Sequence, residues 1–135
     1  MKKWTITVLI TLFGLTQTIQ AQQSKPVKTE GIASFYAQKF NGRKTFSGAV
    51  FNNSEMTAAH NTLPMGTYIR VTNLRNHKWV IVKVTDRLHA ANSRVVDLTQ
   101  AAAKKLDFYQ RGLTRVKVDV VTNSFINSLM QSFLG

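Results

Sequence analysis

Apolar and polar residues alternate most clearly at two places in this chain. Val116, Val118 and Val120 fall on one face of residues 115–121, with Arg115, Lys117 and Asp119 on the other, the period-two pattern of a half-buried strand. Trp79-Val80-Ile81-Val82-Lys83-Val84 is dense in β-branched residues and too short for a helix, so it predicts a largely buried strand. Shorter extended pieces are predicted at Gly31–Tyr36, Thr57–His60, Tyr68–Thr72 and Arg94–Leu98. Asn73–Lys78 joins Tyr68–Thr72 to the 79–84 strand as a hairpin with a longer loop. Thr99 suits the N-cap of an alanine-rich helix over Gln100–Leu106, with Lys104 and Lys105 in its last turn, where cations meet the negative end of the helix dipole. Six short strands and one short helix point to a small closed barrel rather than a doubly wound parallel sheet.

Two segments fit no strand. Phe40–Asn53 is predicted as a long irregular loop rich in Gly, Asn, Lys and Ser, a length that in a small domain accompanies function or disorder. In residues 122–135, Phe125, Ile126, Leu129, Met130, Phe133 and Leu134 recur at helical spacing opposite Asn and Ser. That predicts an amphipathic helix covering a barrel opening. A membrane-surface helix is the weaker expectation, because the segment lacks the Lys and Arg such helices carry.

The N-terminus changes the picture. Lys2 and Lys3, an apolar run from Trp4 to Leu15 and a polar end at Thr16–Ala21 predict a secretory signal over residues 1–21, its apolar core too short for a permanent span. Residues 22–30 read as a linker, 31–121 as the barrel domain and 122–135 as a tail. Export directs the high charge, +12 from 18 Lys and Arg against 6 Asp and Glu over 135 residues, toward an envelope polymer and away from nucleic acid. The chain has no cysteine, which excludes disulfides, thiolate metal sites and lipid attachment through a cysteine. The expected location is the periplasm or envelope of a bacterium, without a lipid anchor. Three scattered histidines give no metal-ligand spacing, and no cofactor is expected.

At the end of the central strand a carboxylate appears, Asp86, followed by Arg87. A strand end is a rigid place to hold a side chain over a cleft; the plain alternative is an Asp-Arg turn pair. Several stretches, in order and at matching spacing from about Gly31 to Val121, resemble the rare lipoprotein A family. They include Gly31-x-Ala33-Ser34-Phe35-Tyr36, Gly42-Arg43-Lys44-Thr45-x-Ser47-Gly48, and Thr57-Ala58-Ala59-His60-x-Thr62-Leu63-Pro64-x-Gly66-Thr67. Val71-Thr72-Asn73-Leu74, Asp86-Arg87 and Arg94-Val95-Val96-Asp97-Leu98-Thr99-x-Ala101-Ala102-Ala103 complete the set. The resemblance implies a mainly β protein, a six-stranded double-psi β-barrel. Its implied activity is endolytic lytic transglycosylase action on peptidoglycan strands stripped of stem peptides, ending in a 1,6-anhydro ring on N-acetylmuramic acid (MurNAc). Expansin-like and barwin-like proteins share the barrel, and some bind polysaccharide without cleaving it, which is the alternative expectation.

Such a reaction uses a single acid that protonates the leaving oxygen and then, as carboxylate, accepts the proton of the C6 hydroxyl, unlike the paired carboxylates of ordinary glycoside hydrolysis. Glu30 lies in the linker, Asp119 on a polar strand face and Asp107 after the helix. Asp97 precedes a helix start, where a carboxylate caps or pairs with Arg94. That leaves Asp86 and Glu55, and Asp86 also holds the family's Asp-Arg position. Asp86 is therefore the expected acid and base, with His60 at a family site position to orient the sugar or tune it. Tyr36, Asn52 and Glu55 are expected to contact substrate, and Arg43, Lys44 and Arg87 to meet the lactyl carboxylate. The chain departs from the family at Ser47-Gly48-Ala49, where the pattern has Ser-Gly-Glu, at Asn52, and at Asp86-Arg87-Leu88-His89, where it has Asp-Arg-Gly-Pro.

Overall fold

A computed structural model describes residues 28–89 and 91–135; the expected signal segment and residues 22–27 of the linker lie outside them. Six strands close into a barrel: β1 (Glu30–Phe35), β2 (Thr57–Ala59), β3 (Tyr68–Asn73), β4 (Trp79–Asp86), β5 (Val96–Leu98) and β6 (Thr114–Val120). Helix α1 (Gln100–Lys105) joins β5 to β6, and α2 (Asn123–Leu134) follows β6. Around the barrel the order is β1-β5-β2-β4-β3-β6. The pairs β1/β5 and β2/β4 are parallel and the other four antiparallel.

The core follows from the alternation. Val80, Val82 and Val84 of β4, Ile69 and Val71 of β3, and Val116 and Val118 of β6 all point inward and are buried. Small residues on the shorter strands, Ala33 and Ala58, leave room for them, while Leu106 and Phe108 close one end. Asn73 is buried but satisfied: its amide donates to the Leu106 carbonyl at 2.9 Å and its oxygen accepts from the Thr114 hydroxyl at 2.9 Å. It thereby ties the β3–β4 turn to the end of α1. The predicted Thr99 cap is present, its hydroxyl accepting from the Ala102 amide at 3.3 Å and donating to the Glu55 carbonyl at 2.5 Å.

Two segments differ from expectation. Residues 41–53 are a small hairpin rather than an irregular loop, closed by Phe51 N–H to the Arg43 carbonyl at 2.7 Å and Thr45 N–H to the Ala49 carbonyl at 2.8 Å. Gly48, at φ +88°, makes its tight turn in a conformation that a Cβ would strain. The tail is helical as expected, capped by Thr122, yet none of its residues is buried. Instead of sealing a barrel end it leans on the wall through Phe125, whose ring centre lies 5.6 Å from the Arg70 guanidinium. Ile126, Met130, Phe133 and Leu134 stay exposed, and the barrel core is closed without them, by its own side chains together with Leu63, Leu106 and Phe108.

Candidate functional site

Strict alternation along β4 would put Asp86 on the same inward face as Val80, Val82 and Val84. The register against β2 prevents this. Ala58 pairs with Val84 but Ala59 pairs with Asp86, so Thr85 is an extra residue, a bulge that re-aims the side chain after it. Asp86 thus leaves the core and lines a groove of about 660 Å³ with Tyr36, Phe40, Leu88, His89 and Arg94. That volume is within the ~300–1,000 Å³ typical of small-ligand sites.

Three donors, all neutral, hold the Asp86 carboxyl. The Tyr36 hydroxyl donates to Oδ2 at 2.6 Å, and the backbone amides of Phe46 and Arg87 donate to Oδ1 at 2.9 Å each. Both Oδ1 lone pairs are engaged, while Oδ2 keeps one. Burial, and then the hydrogen bond to Asp86, push the Tyr36 hydroxyl far above its ordinary pKa, so it remains a donor throughout the neutral range. The Tyr36 ring is fixed against Phe51 at 4.4 Å and Phe40 at 5.7 Å between centroids. Phe46 reaches Asp86 because the hairpin tip docks on the bulge, with Ser47 N–H donating to the Thr85 carbonyl at 3.1 Å.

A second carboxyl, Asp97, lines the same groove. Arg94 grips it with both arms, Nε to Oδ1 at 2.9 Å and Nη2 to Oδ2 at 3.2 Å, and the Ser34 hydroxyl also donates to Oδ1. The pair raises the Arg94 pKa, chiefly through that hydrogen bond.

The other expected site residues divide. Arg87 stands beside Asp86, but its guanidinium donates to the His60 carbonyl at 2.7 Å and lies 5.3 Å from the Phe46 ring centre. His60 is next to Asp86 through the backbone, its N–H donating to the Asp86 carbonyl at 3.0 Å. Its ring, only 3% exposed, accepts at Nδ1 from the amides of Thr62 and Leu63 at 3.2 Å each. Burial and then the Arg87 charge lower its pKa, which keeps Nδ1 free of a proton and able to cap that turn. Arg43 sits over the Phe40 ring at 5.2 Å, one ring removed from Tyr36. Lys44 bridges to Val50 in the hairpin. Asn52 and Glu55 are not brought to the carboxyl: Asn52 caps Ser54 and lines a separate pocket with Gln38, Gln100 and Lys104, while Glu55 is exposed. Sequence reasoning missed Ser34, the Phe46 amide and the bond from the Tyr36 hydroxyl; only the Arg94-x-x-Asp97 spacing carried a local signal. No group of three or more His, Asp or Glu side chains among the described residues could hold a metal ion.

The closed order β1-β5-β2-β4-β3-β6, with two parallel and four antiparallel pairs, is that of a double-psi β-barrel. Solved structures agree on the fold. The expansin of Clavibacter michiganensis superposes with a TM-score of 0.57 at 21% identity, covering 70% of this chain and 50% of that one. The chain belongs to the lytic transglycolase family, whose model matches residues 28–118. Among curated relatives, the endolytic peptidoglycan transglycosylase RlpA of Pasteurella multocida (strain Pm70) is 44% identical over 106 residues, 78% of this chain and 35% of the relative. The protein of the same name from Pseudomonas aeruginosa (strain UCBPP-PA14) is 52% identical over 89 residues, 66% of this chain and 26% of the relative. The chain thus spans between about a quarter and a third of the length of these relatives.

Proposed function

We propose that the protein is a lytic transglycosylase of bacterial peptidoglycan, cutting between MurNAc and N-acetylglucosamine (GlcNAc) in strands free of stem peptides, with Asp86 as its one acid and base. The observation that carries this reading is the state of the Asp86 carboxyl. It is held by three neutral donors, keeps one Oδ2 lone pair unshared, and lines a groove of sugar-binding size. The relatives' names supply the substrate class.

With Oδ1 saturated by two amides, the acidic proton belongs on Oδ2. It passes to the bridging oxygen as that oxygen's bond to MurNAc C1 breaks, and the GlcNAc end leaves with a new hydroxyl. The C6 hydroxyl of the same MurNAc then bonds to C1, and its proton returns to Oδ2, restoring the acid. No water is consumed and one 1,6-anhydro end forms per cut. Tyr36 and the Phe46 and Arg87 amides keep the carboxyl oriented through both transfers. Arg87 and His60 hold the turn on which Asp86 stands, acting as positioning residues. Arg43, over Phe40 at the groove wall, is the cation placed to meet a lactyl carboxylate. A basic, apolar leader in the sequence fits action in the cell envelope.

The test is incubation of the protein with peptide-free glycan, followed by mass spectrometry of the products. Anhydro-terminated fragments that disappear in Asp86→Asn support the reading. Saturable glycan binding with no product from the wild type would replace it with a binding barrel.

A further inference from the structure

A second concavity lies beside the groove, around strand β1. Ile32 and Ser34 are alternate residues on the outer face of that strand, about 7 Å apart. Ser34 lines the Asp86 groove, and Ile32 lines a pocket of about 430 Å³ on the β6 side. The floor of this pocket is Ile32, Leu74 and Leu113; its rim is Arg75, Arg111 and Arg115.

The pocket is built rather than incidental. Leu74 N–H donates to the Arg115 carbonyl at 2.9 Å, which fixes the β3–β4 turn against β6. Gly112, at φ +82°, turns the chain so that Arg111 and Leu113 both line the pocket, and its N–H is anchored to the Phe108 carbonyl at 2.9 Å. Arg115 shares an exposed ion pair with Glu30 at 3.6 Å. The guanidiniums of Arg75 and Arg111 have no acidic partner among the described residues. Guanidiniums match carboxylates in geometry as well as charge. Three of them around an aliphatic floor call for a ligand with several carboxylates and small apolar groups. A bare sugar chain offers neither aliphatic side chains nor enough charge.

We propose that this pocket binds a peptidoglycan stem peptide, a short peptide whose carboxylates meet the arginines and whose alanine methyls rest on Ile32, Leu74 and Leu113. The inference rests on the proposed glycan-cleaving function: a strand lying in the groove, bare at Asp86, would carry its next peptide past β1 into this pocket. The protein would then act at borders between peptide-free and peptide-bearing glycan.

The experiment titrates isotopically labelled protein with a free stem tetrapeptide, L-Ala-γ-D-Glu-diaminopimelate-D-Ala, and follows amide shifts by NMR. Shifts at Leu74, Arg75 and residues 111–115, saturating with peptide, are expected. The variant R75A/R111A should weaken binding by roughly tenfold or more, the effect of losing a charge-assisted contact. Its melting temperature should not change, since both side chains are exposed, and it should still cut fully peptide-free glycan. Esterifying the peptide carboxylates should have the same effect as the variant. Absence of shifts at millimolar peptide, or shifts confined to the Asp86 groove, would overturn the proposal. So would arginine-dependent binding to vesicles containing phosphatidylglycerol without any response to peptide, which would assign the pocket to a lipid surface. Because binding is read without turnover, an inactive Asp86 groove and an empty arginine pocket are separate outcomes.

Discussion

Asp86 and Asp97 share one groove and differ in what surrounds them. Asp97 is held by a guanidinium in a two-armed ion pair, whereas every partner of Asp86 is neutral: one hydroxyl and two amides. Placing a proton on Asp97 would break an ion pair and leave Arg94 without its counter-charge. No such counter-charge grips Asp86. Of the two carboxyls at this groove, then, the one proposed for proton transfer differs from the other in the charge of its neighbours. The other carboxyl fastens the start of β5 to β1.

The sharpest test of that contrast is a pair of substitutions. Asp86→Asn should lower the rate of anhydro-product formation by roughly 10²–10⁴-fold, the usual share of a general acid and base, measured on protein that urea unfolding shows to be folded. Asp97→Asn should do the reverse, costing about 1–3 kcal/mol in urea unfolding while the folded fraction keeps turning over. If Asp97→Asn stopped the chemistry in a stable protein and Asp86→Asn did not, the assignment would be inverted. A smaller effect is expected of Tyr36→Phe, which removes one hydrogen bond to the carboxyl. Roughly tenfold should be lost from kcat, with KM little altered.

His60 bears on stability. Its lowered pKa means that the unfolded chain takes up a proton near the ordinary value of about 6.5 while the folded chain resists it. The unfolded state therefore binds more protons below that pH, and the melting temperature should fall as the solution is acidified through and below about pH 6.5. His60→Gln should flatten that part of the profile, and a profile identical to wild type would refute the capping role. The least effect belongs to the tail: with none of its residues buried, truncation after Val121 should shift unfolding by less than ~1 kcal/mol.

Much of the barrel was legible because its information is local. Valines at alternate positions in β4 and β6, Thr99 before the alanines of α1, and the amphipathic spacing of α2 each specify an element without reference to the rest. Asp86 stood out because an acid closing an apolar run is anomalous in the same local way, and the Arg94–Asp97 pair was legible from three-residue spacing. What supports Asp86 was not legible. The Phe46 amide is 40 residues away in sequence, and nothing in the side chains of 44–50 announces that a backbone N–H will be used. The Thr85 bulge depends on the register with β2, which a single strand does not encode. His60 stood at a family site position in the sequence, whereas its burial and the two amides that its Nδ1 caps are set by tertiary packing. Tail burial was overestimated because amphipathic spacing says that a face is apolar, not what meets it.

The use of main-chain amides under Asp86 has an evolutionary corollary. Any residue except proline carries that N–H, so the bond from position 46 to the acid does not depend on the side chain there, whereas Gly48, at φ +88°, holds the turn that brings the amide into place. The replacements expected to register at this tip are therefore an imino acid at position 46 or 47, which removes a docking N–H, and any side chain at position 48.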